Sequence, residues 1–183
     1  SAPMMLCRTL LLLTMLTAPL LVCAEPKEVD WLDLLPAEDY QAMLDMPELD
    51  HGNGNGPDTN GDFTTSLRQE DNKLPAVMYS TTVVAEMDQQ EIKIGGYPVP
   101  IESDANGRYT QFFLVPYAGA CIHVPPPPPN QIILVNYPAG MDLSDIYQPL
   151  WIEGVLRVSQ TSNQLADASY ELDADQVGLY DGP

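Results

Sequence analysis

From Leu74 onward the apolar positions come in short runs that alternate with polar ones, the two-residue period of a strand buried on one face. VMYSTTVVAEM (77–87) is rich in β-branched residues, Asp88-Gln89-Gln90 reads as a turn, and EIKIGGYPVPIE (91–102) sets Ile92 and Ile94 against Glu91 and Lys93. Gly95-Gly96 predicts a bulge or bend where that strand curves round a small barrel. Asp104-Ala105-Asn106-Gly107 makes the next turn, and YTQFFLVPY (109–117) follows as a largely buried strand. QIILVNY (131–137) is another strand, and Asp142 to Tyr147 is read as one helical turn. PLWIEGVLRVSQ (149–160) alternates around a break at Gly154, and ASYELDADQVGLY (168–180) supplies the last strand. Five to six short strands, two of them with a bend-making glycine, predict a mainly β fold, a small five- to six-stranded OB-like barrel.

Ahead of the strands the period changes to a helical one. In WLDLLPAEDYQAMLDM (31–46), Leu35, Tyr40, Met43 and Leu44 recur at helical spacing, and Pro36 suits a first turn. Glu38 and Asp39 favour the positive end of the helix dipole. The expectation is a short amphipathic N-terminal helix packed on the barrel. Residues 49–73 are rich in Gly, Asn and Asp, lack periodicity, and read as a flexible loop. Within them Asp58, Asn60 and Asp62 alternate as the opening of a calcium loop does. The pattern breaks at Phe63, where that loop needs glycine, and at Gln69, where it needs a bidentate glutamate.

Charge narrows the partners. The 183 residues carry 26 acidic and 7 basic side chains, a formal charge of −19. Such a chain has little with which to replace the counterions of a polyanion, so nucleic acid and anionic membrane surfaces are disfavoured. For the same reason Tyr97, Tyr109 and Tyr117 are read as half-buried packing residues and not as a base-stacking face. Trp31 and Trp151, each beside leucine or isoleucine, are read as core anchors.

MLCRTLLLLTMLTAPLLVCA (5–24) has one basic residue, Arg8, then an apolar run with no acid before Glu25. It ends in Val22-Cys23-Ala24, the pattern of a signal peptide cleaved after Ala24. The run falls short of the roughly 20 residues a span requires, so no stable membrane span is expected after cleavage. An uncleaved anchor and a lipoprotein acylated at Cys23 are the alternatives. The organisation expected is residues 1–24 as signal peptide, 25–73 as helix and loop, and 74–183 as barrel. Cleavage leaves Cys121 as the sole cysteine, which excludes an internal disulfide.

GACIHVPPPPPNQ (119–131) concentrates the candidate chemistry. If its first half is extended, Cys121 and His123 share a face, and thiolate and imidazole are both zinc or copper ligands. Two ligands are half of a structural zinc site, so zinc is the candidate cofactor only if others converge. Against it stands a buried Cys121 beside a core His123 bonded to backbone. A third reading makes Cys121 a nucleophile with His123 as base, which needs a lowered thiol pKa and an orienting third group. The five prolines, Pro125, Pro126, Pro127, Pro128 and Pro129, favour a stiff left-handed extended helix. That segment is either a strut between strands or a partner-binding ridge, with Asn130 and Gln131 offering amides at its exit.

GYPVPIE, FFLVPYAGACIHVPPPPPNQIILV, PLWIEGVLRV and ASYELDADQV together resemble a family of exported bacterial proteins classed as a domain of unknown function, over about Trp31 to Val177. The resemblance implies a periplasmic protein encoded beside ABC-type permeases, in some cases among zinc-responsive genes. It implies an accessory role in envelope transport or metal homeostasis, with a permease or another periplasmic protein as partner, and no established catalytic activity. The expectation is therefore a non-enzymatic periplasmic accessory protein. A zinc- or copper-binding protein using Cys121 and His123, and a thiol enzyme using Cys121, are the alternatives.

Overall fold

Five strands close on themselves, and a sixth, short one extends the wall. In the computed structural model, which describes residues 24–46, 74–118, 120 and 126–180, these are β1 (Lys27–Glu28), β2 (Gln90–Ser103), β3 (Tyr109–Val115), β4 (Ile133–Met141), β5 (Leu150–Ser162) and β6 (Asp167–Leu179). Neighbours run β1-β2-β3-β4-β6-β5, and β5 returns to β2 to close the barrel. All barrel pairings are antiparallel except β4 with β6, and β1 lies parallel to β2. The expected signal peptide but for its last residue, Ala24, and the 49–73 loop with its Asp58, Asn60 and Asp62 lie outside the described residues.

Alternation decides what enters the barrel. Ile92 and Ile94 of β2, Phe112 and Leu114 of β3, Ile133 and Val135 of β4, Ile152 and Leu156 of β5, and Tyr170 and Leu172 of β6 form one buried cluster. Each fully buried side chain of this size contributes roughly 1.5–3 kcal/mol. The bend expected at Gly95-Gly96 is where β2 changes partner: through Gly96 it pairs with β5, and from Tyr97 with β3. A Cβ at Gly96 would lie 2.8 Å from the Val115 carbonyl oxygen and from Leu114 Cγ, so only glycine allows the crossing.

The N-terminal segment belongs to the same core. Val29 and Leu34 are buried in it, and a 3-10 turn over Trp31–Leu34 is capped by Asp30. The helix α1 (Ala37–Leu44) forms where the spacing places it, but it buries no side chain, and Tyr40 and Leu44 are 41% and 61% exposed. It is held by charge-assisted hydrogen bonds instead: Asp39 Oδ2 accepts from Ser80 Oγ at 2.5 Å and from Asn130 Nδ2 at 2.8 Å.

Two expectations are corrected. Residues 77–87 are not a strand. They form 3-10 turns at Ala76–Tyr79 and Ala85–Met87 joined by an extended strap. Their backbone finds side-chain partners in place of a ladder: Thr82 O accepts from Asn130 Nδ2, Thr81 O from Gln160 Nε2, and the Val84 N–H donates to Tyr170 Oη. Asp142 to Tyr147 make no helical turn, because Asp145 Oδ1 takes the Tyr147 N–H at 2.8 Å and closes a turn two residues on.

A polar ladder crosses the wall. Gln111 Nε2 donates to Asn136 Oδ1, Asn136 Nδ2 to Glu171 Oε1 and Asp173 Oδ1, and Arg157 to both oxygens of Asp173 at 3.0 and 3.1 Å. The Arg157 guanidinium, aided by Asn136, holds the Asp173 carboxyl below its usual range despite partial burial. A carboxyl with a depressed folded pKa contributes stability above the unfolded value, about 4, and loses it as pH falls through the folded value. Asp173→Asn is therefore expected to flatten the fall in Tm between about pH 5 and pH 2, while costing only about 0.2–1 kcal/mol at pH 7 for so exposed a pair. Thermal melts over that range check it.

Candidate functional site

The proline-rich segment turns inward. Cys121, His123 and Pro125 lie outside the described residues. Of those that follow, Pro127 and Pro128 are buried, Pro126 and Pro129 half-buried, and Pro129–Gln131 form a 3-10 turn. Asn130 and Gln131, expected at a partner surface, are 0% and 5% exposed. Asn130 ties the strap and α1 together, and Gln131 Nε2 donates to Trp31 O at 2.9 Å. Two buried amides spent on long-range backbone and carboxylate partners pin the N-terminal segment to the barrel. Among the described residues no three His, Cys, Asp or Glu side chains gather to hold a metal ion.

Next to this pin a cleft of about 630 Å³ opens, within the size range of ligand sites. Trp31 and Trp151, read from sequence as core anchors, are half-buried and line it with Tyr97 and Tyr180. Glycines position the rings. Trp31 lies against Gly96 and donates its indole N–H to the Gly95 carbonyl at 2.7 Å. Tyr180 covers Gly95, and Trp151 lies so close over Gly178 that a Cβ there would stand 2.5 Å from its ring. Lys93 Nζ sits 4.7 Å from the centre of the Trp151 ring and 3.6 Å from Glu153 Oε1. The carboxylates of Glu28, Asp30 and Asp33, all on exposed residues, stand at the rim. Sequence reasoning missed this site because its parts come from four separate stretches. No local period marks it, because which aromatic faces which glycine is set by the strand register and the packing of the N-terminal turn.

The opposite resource of OB-type barrels, the outer face of their second and third strands, is filled by the chain itself. Those strands here are β3 and β4. Their outward Phe113, Val115 and Leu134 join Ile132, Ala120 and Ala168 in a second buried cluster, with Tyr97 and Tyr117 packed against it. Tyr117, Ala120 and Ile132 of the connection from β3 to β4 thus help cover the face that OB-type barrels can present to a ligand.

A closed five-stranded mixed barrel in this order, with an added edge strand and one short helix, defines an OB-type barrel protein. Residues 31–179 match the family described as "Protein of unknown function (DUF3299)", and the chain belongs to that family. It is similar to a DUF3299 family protein from Pseudomonas aeruginosa PAO1 whose crystal structure is known. The two share 37% identity over 86% of this chain and 98% of that chain, with a TM-score of 0.61. A small single-stranded DNA-binding protein from Streptomyces coelicolor is a remote neighbour at 13% identity and a TM-score of 0.27, over 50% of this chain and 94% of that chain. No curated protein matches the chain. Among the described residues no helix is long and apolar enough to cross a membrane.

Proposed function

We propose that the protein is a non-enzymatic accessory protein of an envelope transport or metal-homeostasis system, working in the periplasm after export and engaging a permease component through the aromatic cleft. One observation carries this reading: half-buried Trp31, Trp151 and Tyr97, with the exposed Tyr180 beside them, are gathered around a single rimmed opening. Tryptophan and tyrosine in such partly desolvated positions are the side chains that dominate binding energies at protein interfaces. The docking surface accordingly moves from the proline run, whose middle residues are buried, to the cleft beside it.

The test is recovery of a permease with tagged protein from detergent-solubilised envelopes. Tyr180→Ala and Trp151→Ala, both checked for native circular dichroism, are expected to reduce recovery at least about 10-fold, the loss of one hot-spot residue. Unaltered recovery by folded variants would overturn the assignment of the cleft.

A further inference from the structure

We infer that the cleft takes an arginine-bearing extended segment of a partner protein, a guanidinium stacking on its rings within reach of its carboxylates. This rests on the reading of the cleft as a partner site and names the chemistry it recognises.

Three observations converge. First, one of the rings already accepts a cation: the Lys93 ammonium lies 4.7 Å from the centre of the Trp151 ring. Second, charge is complementary. Glu28 and Asp30 stand on exposed residues at the rim, while the cleft's own cation, Lys93, is offset by Glu153 at 3.6 Å. The whole chain carries −19, so cationic segments are drawn to it and anionic ones repelled. Third, an opening of about 630 Å³ bounded by backbone and flat rings exceeds one side chain and suits a short stretch of extended polypeptide. Arginine fits better than lysine because its planar guanidinium stacks on an aromatic face while its N–H groups reach a carboxylate.

The cleft carries its own reporter. The chain has two tryptophans, Trp31 and Trp151, and both line it. Emission of the whole protein is therefore titrated with N-acetylated, C-amidated tetra-arginine at low salt, with tetra-lysine and tetra-glutamate as comparisons. The expected result is a saturable change with tetra-arginine, a weaker one with tetra-lysine and none with tetra-glutamate. Glu28→Gln and Asp30→Asn, the latter retaining an N-cap side chain, should each weaken binding about 2- to 5-fold. Lys93→Gln should strengthen it, since it removes a like charge and uncovers the Trp151 face; a scaffolding role for Lys93 would predict the opposite sign.

Absence of a tetra-arginine response in folded protein, equal binding of tetra-glutamate, or indifference to both rim substitutions would each overturn the inference. Equal affinity for arginine amide alone would also overturn it, because the occupant would then be a free small cation. The partner reading fails separately. If Tyr180→Ala and Trp151→Ala lose the permease while tetra-arginine does not bind, the site stands and its chemistry is wrong. If tetra-arginine binds but permease recovery is unchanged, the chemistry stands and the transporter assignment is wrong.

Discussion

Replacing Tyr170 by phenylalanine is expected to lower stability by about 2–5 kcal/mol, although the buried ring is kept. The hydroxyl, inside a side chain that is 0% exposed, donates to Leu34 O at 2.8 Å and accepts the Val84 N–H at 2.8 Å. Phenylalanine leaves both backbone groups without that partner, at a cost of about 1–3 kcal/mol for the buried Leu34 carbonyl and about 1–2 kcal/mol for the part-buried Val84 N–H. For a chain of this size that is a fall in Tm of about 5–20 °C. The amide of Val84 should also exchange faster, since the hydroxyl is what fastens the strap to the barrel. An alkaline arm follows from burial, which pushes the Tyr170 hydroxyl above its usual range against the opposing effect of the Val84 N–H. A group with a raised folded pKa gives its full stabilisation below the unfolded value, about 10, and loses it as pH rises through the folded value. The parent should therefore lose stability above about pH 10 by an increment that Tyr170→Phe lacks. An unchanged Tm together with unchanged Val84 exchange would refute this account of the strap.

The same hydroxyl shows where sequence stops being informative. Its partners lie 86 and 136 residues away, and no local period encodes such a join. What a local pattern does encode is which face of a segment is covered. Hence β2, β3, β4, β5 and β6, the bend at Gly95-Gly96 and the turn at 104–107 are legible, and with them an OB-like barrel. The stretch 77–87 misled for the converse reason. Its β-branched residues favour an extended backbone, and part of it is extended, but strandhood needs a neighbouring backbone, and Asn130, Gln160 and Tyr170 side chains stand there instead. Trp31 does pack against the core cluster, as its apolar neighbours suggest, but both indoles also line the cleft and lie over Gly96 of β2 and Gly178 of β6, a pairing visible only once the fold is known. Asn130 and Gln131 are read as amides offered to a partner at the exit of the proline run, and they are instead the buried fasteners of three segments.

A single methyl group at residue 154 is expected to separate β5 from β6. An ideal Cβ on Gly154 would stand 2.1 Å from the Asp173 carbonyl oxygen and 2.9 Å from Ala174 Cα. Both are backbone atoms of the facing strand, so no rotamer change relieves the clash and the strands themselves must part. The contact falls where the β5–β6 register shifts, between Glu153 and Gly154, an irregularity of the kind that lets a barrel wall coil. Gly154→Ala should therefore cost about 3–5 kcal/mol or more, a large share of the 5–15 kcal/mol that holds a typical domain. Gly107→Ala is the matched control. Gly107 has φ +77° but nothing within 4 Å of its Cβ position, so that substitution meets only left-handed backbone strain of about 1–2 kcal/mol. Urea unfolding of the two variants separates steric exclusion from backbone strain. The midpoint for Gly154→Ala should fall far below that for Gly107→Ala, and equal midpoints would mean that the β5–β6 crossing is looser than its geometry requires. Because Trp151 lies over Gly178 through this same pairing, tryptophan emission should shift with Gly154→Ala and stay fixed with Gly107→Ala. A spectral change of that kind would tie the bulge directly to the wall of the aromatic cleft.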